Sequence, residues 1–229
     1  MSVTVISLGG SIIAPDSVDI DFLKAFSKEL RAYLKEDASR KVILVCGGGA
    51  PARVYQQAAK AVAPGIDSSY LDWIGIRATH LNGQLVRTLF SDICSDQLVI
   101  DPTSKDIEFK GQVLVAGGWK PGFSSDNDAV LLAERFGGKL IINLSNIEKV
   151  YTDDPRKNPQ ARPIDKISWE DFRKIVGDDW VPGKNTPFDP VASRKAASLG
   201  MKVVCSKGTR IQNTMAILRG KAFVGTTIG

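Results

Sequence analysis

Short apolar runs alternate along the chain with longer segments in which apolar residues recur every three or four positions. The runs are rich in Val, Ile and Leu, which is typical of strands buried on both faces of a sheet, and the longer segments have the spacing of amphipathic helices. Strands are predicted at residues 3–8, 41–46, 98–100, 113–116, 139–144, 202–205 and 225–228, the last of them at a sheet edge. Helices are predicted at residues 20–34, 50–63, 72–90, 129–136, 168–176, 191–199 and 211–218, with a loop or hairpin at 151–167 and an irregular loop at 180–190.

This alternation predicts an α/β fold, a three-layer αβα sandwich around a central, mainly parallel sheet. In such sheets ligands bind beyond the carboxyl ends of the strands. Glycine clusters follow three of the predicted strands, at Gly9-Gly10, Gly47-Gly48-Gly49 and Gly117-Gly118. Because glycine lets a ligand approach the backbone closely, we expect the three clusters to line one crevice with N–H donors suited to a polyphosphate.

The segment after the third cluster carries the densest candidate chemistry. A Pro-Gly turn follows the glycines, and Ser124, Ser125 and Asp126 then open the next helix. Two hydroxyls and a carboxylate at a helix N-terminus are typical of an anion or metal–phosphate site, and equally of a capped connection without a ligand. The repetition of glycine clusters at three strand ends favours the ligand site.

Composition narrows the chemistry further. The 229 residues fit one large domain or two closely fused halves, and the net charge of +5 is dispersed, which suits anionic small molecules at least as well as nucleic acid. No basic face with interleaved aromatics indicates a nucleic-acid module. The single histidine, His80, argues against histidine-based metal sites and Ser-His-Asp catalysis. Three widely separated cysteines predict reduced thiols in the cytoplasm, and no apolar run is long enough for a membrane span.

The common nucleotide-binding motifs are absent from the sequence. There is no P-loop signature, no G-x-G-x-x-G after a strand and no protein-kinase motif. What remains is an α/β protein with unusual glycine loops.

An ordered set of motifs resembles the amino acid kinase family, and within it the archaeal-type uridylate kinases, over nearly the whole chain. The motifs are Ser7-Leu8-Gly9-Gly10-Ser11, Gly47-Gly48-Gly49 with Arg53, Asp72-Trp73-Ile74-Gly75 with Thr79 and Asn82, Ser124-Ser125-Asp126, Val150-Tyr151-Thr152-Asp153-Asp154-Pro155, and Phe188-Asp189-Pro190. The resemblance implies the amino acid kinase fold, phosphoryl transfer from Mg-ATP to UMP, and a homo-oligomer, a hexamer in this family. A single domain over 1–229 would bind UMP with residues 1–137 and ATP with residues 138–229.

For the acceptor half, the resemblance implies that Arg53 holds the UMP phosphate and Asp72 the ribose hydroxyls, with Trp119 and Phe123 beside the uracil. The expected UMP-binding set is Gly47, Gly48, Gly49, Arg53, Asp72, Gly118, Trp119, Phe123, Ser124 and Ser125. Ordinary alternatives stay open: a solvated helix charge for Arg53, a helix cap for Asp72, and core or subunit packing for the aromatics.

For the donor half and the reacting phosphates, the resemblance implies two further sets. The expected catalytic set is Gly9, Gly10, Ser11, Asp126, Lys184 and Asp189, and the expected ATP-binding set is Gly9, Gly10, Ser145, Asn146, Tyr151, Asp154 and Pro155. ATP and Mg²⁺ are the expected cofactors, with Mg²⁺ bound mainly through the phosphates rather than by assigned residues.

The chain departs from the family pattern at Ser7, at Glu148-Lys149 and in an insertion-like segment at residues 180–187. Ser7 stands where many members have lysine, so Lys184, with Lys207 behind it, is the candidate for the missing positive charge. Glu148-Lys149 replaces the usual Asp-Gly before Val-Tyr, and lysine does not adopt positive φ as cheaply as glycine. Two alternatives therefore stay open: a family member with another small acceptor, such as acetylglutamate, isopentenyl phosphate, aspartate or carbamate, or a non-catalytic nucleotide- or oxyanion-binding protein for storage or regulation.

Overall fold

The computed structural model describes residues 2–177 and 186–229. The strands are β1 (Ser2–Leu8), β2 (Arg40–Cys46), β3 (Val113–Ala116), β4 (Leu140–Ser145), β5 (Val150–Tyr151), β6 (Pro163–Ile164), β7 (Lys166–Ile167), β8 (Lys202–Lys207) and β9 (Thr226–Ile228). The helices are α1 (Gly10–Ile13), α2 (Ile20–Lys35), α3 (Gly49–Val62), α4 (Ser68–Leu89), α5 (Ser125–Arg135), α6 (Trp169–Val176), α7 (Pro190–Ser198) and α8 (Ile211–Leu218).

Seven strands form one sheet in the order β3-β2-β1-β4-β8-β9-β7, and β5 and β6 form a separate hairpin. Strands β3, β2, β1, β4 and β8 are all parallel to one another, whereas β9 runs antiparallel to β8 and parallel to β7. The predicted mainly parallel sheet is therefore confirmed. Because the parallel strands share one direction, their carboxyl ends, with the loops that follow them, meet at the same edge.

The two faces of the sheet bury separate hydrophobic clusters, which makes the fold three-layered. Along β1, Ile6 packs on the side that holds Phe26 of α2, whereas Val5 packs on the opposite side with Phe172 of α6. Successive side chains of a strand point to opposite faces, so a continuous apolar run is required when both faces are covered. The predicted αβα sandwich is confirmed.

Several predicted boundaries were wrong for identifiable reasons. Helix α4 begins at Ser68 rather than at 72, because the Asp67 carboxylate accepts the Ser69 N–H at 2.8 Å and caps the helix one turn earlier. Strand β9 is not at the sheet edge, because β7 pairs with its outer side. The strand predicted at residues 98–100 is reduced to one bridge between Val99 and Ala116.

The remaining elements had mixed outcomes. Residues 151–167 contain the β5–β6 hairpin followed by β7, as the loop-or-hairpin prediction allowed. The short helix α1 was not predicted, since four residues are too few for a periodic pattern. Most of the predicted irregular loop at 180–190 lies outside the described residues. No helix within residues 2–177 and 186–229 has the length and hydropathy to cross a lipid bilayer.

Candidate active site

The glycine loops after β1 and β2 lie directly against each other at the carboxyl edge of the sheet. A Cβ atom at Gly10 would lie 2.0 Å from the Gly49 nitrogen, and one at Gly47 would lie 2.4 Å from the Gly10 nitrogen. Gly49 also has a φ of 66°, which disfavours any other residue. The glycines are therefore needed for contact between the two loops, which leaves bare backbone at their surface.

The third glycine cluster does not offer the predicted N–H donors. The Gly117 N–H donates to the Val99 carbonyl at 2.9 Å, and the Gly118 N–H donates to Thr79 Oγ1 at 2.7 Å. Both groups are already satisfied because α4 packs against this loop. The expectation of three donor-lined strand ends was wrong at this position. In the first two clusters, which line the crevice, the Gly9 N–H donates to the Leu144 carbonyl at 2.9 Å and the Gly47 N–H to the Leu8 carbonyl at 3.0 Å, so these two groups are also engaged.

Asp126 lies where the two predicted halves of the chain meet. Its Oδ1 accepts the hydroxyl of Ser7, at the end of β1, at 3.1 Å, and its Oδ2 accepts the Asp189 N–H, before α7, at 3.1 Å. Burial of the carboxyl raises the pKa of Asp126 to about 6; the Asp189 N–H opposes this rise, and the Asp189 charge adds to it. One carboxyl group thus fixes elements of both halves relative to each other.

Asp189 has the position of an ordinary helix cap as well as a place in this junction. Its Oδ1 accepts the Ala192 N–H at 2.8 Å, and Pro190 occupies the first turn of α7. The side chain is therefore committed to the helix, and it is the main-chain N–H of Asp189 that contacts Asp126. Asn143 on β4 fixes the preceding segment by donating to the Pro187 carbonyl at 2.7 Å.

A second buried carboxyl, Asp128, was not among the predicted site residues. It is 0% exposed, its Oδ2 accepts the Trp119 N–H at 3.2 Å, and its Oδ1 has no hydrogen-bond partner among the described residues. Burial raises the pKa of Asp128 to about 7, with smaller contributions from Asp126 and Asp101. The sequence held one signal: Asp128 stands four positions before Leu132, on the buried face of α5.

The predicted acceptor residues surround the loop between β3 and α5. Asp72 accepts the Gly122 N–H at 3.2 Å, so it tethers this loop to α4. The Trp119 and Phe123 rings meet edge to face with centroids 4.9 Å apart. Ser124 caps α5 by accepting the Asn127 N–H at 3.3 Å, and Ser125 is the first residue of that helix. These predicted residues are therefore brought together at the loop that leads into α5, the helix whose second residue is Asp126.

Two buried polar residues of α4, Thr79 and Asn82, form hydrogen bonds with the backbone of the glycine loops. Asn82 donates from Nδ2 to the Gly47 carbonyl at 2.8 Å and to the Gly48 carbonyl at 3.1 Å. Thr79 accepts the Gly118 N–H, as described above, and both side chains are buried. Thr79 and Asn82 are therefore not plain surface positions, because α4 turns this face towards the loops.

Arg53 lies on α3 with its side chain exposed. Its guanidinium Nη2 donates to the Pro15 carbonyl at 2.7 Å, just beyond α1. One nitrogen is therefore engaged with the chain that follows the first glycine loop, and α3 itself begins at the second glycine cluster.

The predicted donor residues of the second half lie at or after the end of β4, which lies on the opposite side of β1 from β2 and β3. Ser145 ends β4 and its carbonyl accepts the Gly208 N–H at 2.9 Å; Asn146 follows it in the loop. Tyr151 lies in the β5–β6 hairpin, and Asp154, next to Pro155, pairs with Arg156. Lys184 lies outside the described residues, so its predicted role stays a prediction.

The departure at Glu148-Lys149 is accommodated by ion pairs. Glu148 pairs with Arg210, just before α8, at 2.5 Å, and Lys149 pairs with Asp165, just before β7. No described residue other than glycine has a positive φ, so the segment does without the backbone conformation for which a glycine would be needed. Lysine at this position therefore introduces no backbone strain.

Comparisons with known proteins agree with this architecture. The profile described as "Amino acid kinase family" matches residues 2–207. Similar proteins named "Uridylate kinase" come from Pyrococcus abyssi, 33% identical with 98% of both chains covered, and Thermofilum pendens, 33% identical with 99% of this chain and 97% of the relative covered. The crystal structure of a uridylate kinase from Archaeoglobus fulgidus superposes with a TM-score of 0.84 at 30% identity, covering both chains fully.

A more distant structure shares the fold alone. The crystal structure titled UMP kinase from Bacillus anthracis gives a TM-score of 0.78 at 19% identity, covering 100% of this chain and 96% of the other. Taken with the profile match and the full-length relatives, the glycine loops, the Ser7–Asp126–Asp189 junction and the seven-stranded sheet lead to one conclusion: this chain belongs to the amino acid kinase family.

Proposed function

We propose that this protein transfers the γ-phosphoryl group of ATP to UMP, producing ADP and UDP. The observation that carries the proposal is the position of Asp126, which joins Ser7 and Asp189 beside two glycine loops packed too closely for any side chain. Bare backbone at a strand edge suits phosphate groups. The similarity to full-length relatives named uridylate kinase supports UMP as the acceptor.

The proposed reaction needs no general base. The nucleophile is an oxygen of the UMP phosphate, whose second pKa is about 6, so it is largely ionised at neutral pH. This oxygen forms a bond to the γ-phosphorus while the bond from that phosphorus to the β,γ-bridging oxygen of ATP breaks. Positioning and charge stabilisation then account for the rate acceleration. In this scheme Asp126 does not accept a proton. Its two oxygens accept hydrogen bonds from the Ser7 hydroxyl and the Asp189 N–H, and in this way Asp126 orients those two groups.

Residues 1–137 are proposed as the acceptor half. Arg53 would bind the UMP phosphate, since a guanidinium matches two phosphate oxygens at once. Asp72 would accept the ribose hydroxyls, while Trp119 and Phe123 form a wall for the uracil. Asp72, Trp119 and Phe123 all lie in or contact the loop at residues 117–123, which supports their assignment to the nucleoside part of UMP.

Residues 138–229 are proposed as the donor half, with the adenosine near Tyr151, Asp154 and Pro155. Ser7 cannot supply the positive charge that lysine gives in many family members, and in this protein its hydroxyl instead bonds to Asp126. Lys207, at the end of β8 on the carboxyl edge, is within the described chain and is proposed together with Lys184 to offset the phosphate charge.

Mg²⁺ is proposed to enter with ATP. Within residues 2–177 and 186–229 no three acidic, histidine or cysteine side chains form a group that could hold a metal ion. Both oxygens of Asp126 already accept protein hydrogen bonds. These residues do not form a protein-built metal site, so the ion would be bound through phosphate oxygens and water, as Mg²⁺ prefers.

Self-association, with a hexamer as the family resemblance implies, is proposed through an apolar surface on α3 and α4. This α3–α4 surface consists of Val54, Tyr55, Val62, Tyr70 and Leu81, which are 58–87% exposed. Light scattering after gel filtration should give six times the chain mass, and Tyr55→Lys should reduce it. A monomer at all concentrations would contradict the proposal.

The cytoplasm is the proposed compartment, because the three cysteines are buried and unpaired.

The function is tested by ADP release from Mg-ATP with a panel of acceptors: UMP, CMP, dUMP, AMP, acetylglutamate and isopentenyl phosphate. Selective turnover with UMP is the expected result. Selective turnover with another acceptor would keep the phosphoryl-transfer chemistry and overturn the roles of Asp72 and Trp119. Nucleotide binding without turnover of any acceptor would identify a non-catalytic family member.

A further inference from the structure

Three successive backbone groups of the acceptor loop are bound by side chains from two different helices. Thr79 Oγ1 on α4 accepts the Gly118 N–H at 2.7 Å, and Nε2 of His80, the next residue, lies 2.7 Å from the Gly118 carbonyl oxygen. Asp128 Oδ2 on α5 accepts the Trp119 N–H at 3.2 Å. We call Thr79, His80 and Asp128 the loop clamp. Neither His80 nor Asp128 has a place in the reaction described above.

The contact with Gly118 determines the protonation of His80. A carbonyl oxygen only accepts hydrogen bonds, so Nε2 must carry a proton. Nδ1 lies 3.3 Å from Arg77 Nη1, a group that only donates, so Nδ1 is the unprotonated nitrogen. Partial burial lowers the pKa of His80, and the Arg77 charge lowers it further, against the effect of the Gly118 carbonyl. His80 is therefore a neutral, directional donor to the loop.

Asp128 is expected to destabilise the folded protein, so its presence needs an explanation. It is fully buried, and only one of its oxygens has a described hydrogen-bond partner. A buried carboxyl with an unpaired oxygen destabilises a protein relative to an apolar residue of similar size. The one group that Asp128 fixes is the Trp119 N–H, so its position is explained if this peptide must be held in place.

The clamp sets the direction of the aromatic pair. The Gly118–Trp119 peptide is bound on both sides, by His80 at its carbonyl and by Asp128 at its N–H. A Cβ at Gly117 would lie 2.7 Å from the His80 ring, so this glycine is what lets the imidazole reach the loop. With the peptide fixed, the Trp119 ring meets Phe123 edge to face, and the Lys120 ammonium lies 3.9 Å from the Trp119 ring centroid.

We infer that His80 and Asp128 are positioning residues for the acceptor: they hold the Gly118–Trp119 peptide so that Trp119 and Phe123 form a ready wall for the acceptor base. Neither residue touches the acceptor. The inference rests on the proposed function, which supplies the assignment of this loop to the acceptor.

Paired variants separate positioning from general structural damage. His80→Phe keeps a ring but removes the donor, whereas His80→Gln places an amide N–H close to the position of Nε2. Asp128→Val removes both oxygens at similar volume, whereas Asp128→Asn keeps an acceptor for the Trp119 N–H. Asp128→Val removes the unpaired buried oxygen but leaves the Trp119 N–H without its acceptor, so urea unfolding of each variant is measured to establish that it is folded before its kinetics are compared.

Steady-state kinetics provide the first readout. For His80→Phe and Asp128→Val we expect the KM for UMP to rise about tenfold, as for one lost hydrogen bond, with the KM for ATP within about twofold of the native value. His80→Gln and Asp128→Asn should recover most of the UMP affinity. An equal rise in both KM values, no rise in either, or no recovery by the conservative variants would overturn the inference.

Amide exchange provides a readout that does not depend on the acceptor. In the nucleotide-free protein, the peptide that contains residues 117–123 should exchange faster in His80→Phe and Asp128→Val than in the native chain, with α3 unchanged. Unchanged exchange in the loop would overturn the clamp even if UMP is the acceptor. Failure of the proposed function is recognised separately, by absence of UMP turnover in the native protein.

Discussion

The loop at residues 117–123, proposed for the acceptor side, and the segment at residues 146–156, proposed for the donor side, are built differently. The first is held through its backbone by buried or half-buried side chains of α4 and α5. The second contains the buried Val150 of the β5–β6 hairpin, whose N–H donates to Thr226 Oγ1 at 2.8 Å. The residues on either side of Val150 form ion pairs between partly or largely exposed side chains, Glu148 with Arg210, Lys149 with Asp165 and Asp154 with Arg156. Buried hydrogen bonds define one geometry, whereas exposed ion pairs contribute about 0–1 kcal/mol each and exchange readily.

We therefore expect the geometry of the proposed acceptor side to be fixed before any ligand binds, and the side chains that flank Val150 on the proposed donor side to adjust to the nucleotide. Asp126 follows the first region directly, at the start of α5, and contacts Ser7 at the end of β1 and Asp189 before α7. Variants at the junction should therefore impair the reaction most, variants on the acceptor side should change affinity for one substrate, and variants of the exposed pairs should change little.

The largest effect is expected at the junction. Asp126→Asn should lower kcat about 100-fold, on the scale of other preorganised polar groups, with little change in the KM for UMP. The reason is that an amide cannot accept hydrogen bonds from both Ser7 and Asp189 as the carboxylate does. Asp21→Asn, the same substitution at an exposed acid of α2, is the matched control. Steady-state kinetics check the prediction, and a kcat within about twofold of the native value would contradict it.

The next effect is expected from the guanidinium of Arg53. Arg53→Ala should raise the KM for UMP about 30-fold and leave kcat nearly unchanged, because it removes charge-assisted bonds to the acceptor phosphate. Lys60→Ala provides the control, since Lys60 is an exposed cation on the same helix. The prediction fails if kcat falls while the KM for UMP is retained.

A third prediction concerns pH and stability. Burial raises the pKa of Asp128 to about 7, so the folded state binds a proton that the unfolded state has already lost. The contribution is present at low pH and is lost as pH rises through the folded-state pKa. Between about pH 6 and about pH 8 the free energy of unfolding should fall about 1.4 kcal/mol more in the native chain than in Asp128→Asn. Urea unfolding at several pH values measures this difference, and parallel pH profiles would contradict it.

The smallest effect is expected on the donor side. Glu148→Gln breaks the ion pair with Arg210, which is partly exposed at both ends. We expect the KM for ATP to change by no more than about threefold at low salt and the KM for UMP to stay constant. High salt should remove the difference, because salt screens exposed pairs. A tenfold or larger change would show that the donor side is as firmly built as the acceptor side.

The fold was largely predictable because burial on two faces leaves a strong pattern. Continuous runs such as residues 41–46 can only be strands covered on both sides, and the helices between them carry regular apolar spacing. The elements that the pattern missed are short, or they pair with segments that are far away in the sequence. Strand β7 has two residues, and its place outside β9 depends on pairing with the end of the chain.

The candidate site was predictable where chemistry lies in a local motif, and not where it depends on packing. Ser124-Ser125-Asp126 marks a helix start in sequence, and the structure has α5 there. The engagement of the Gly118 N–H by Thr79 is invisible in sequence, because it depends on how α4 packs against the loop. Asp128 was missed because an acid on a mostly polar helix start resembles a cap residue, until its side chain is found buried.

The central claim is that the site around Asp126 passes the γ-phosphoryl group of ATP to the phosphate of UMP. The most direct test is to incubate the protein with γ-labelled Mg-ATP and UMP and to follow where the label goes. The account predicts labelled UDP, formed in step with ADP and strongly reduced in Asp126→Asn. Label found only in inorganic phosphate, or retained in ATP while both nucleotides are bound, would contradict it.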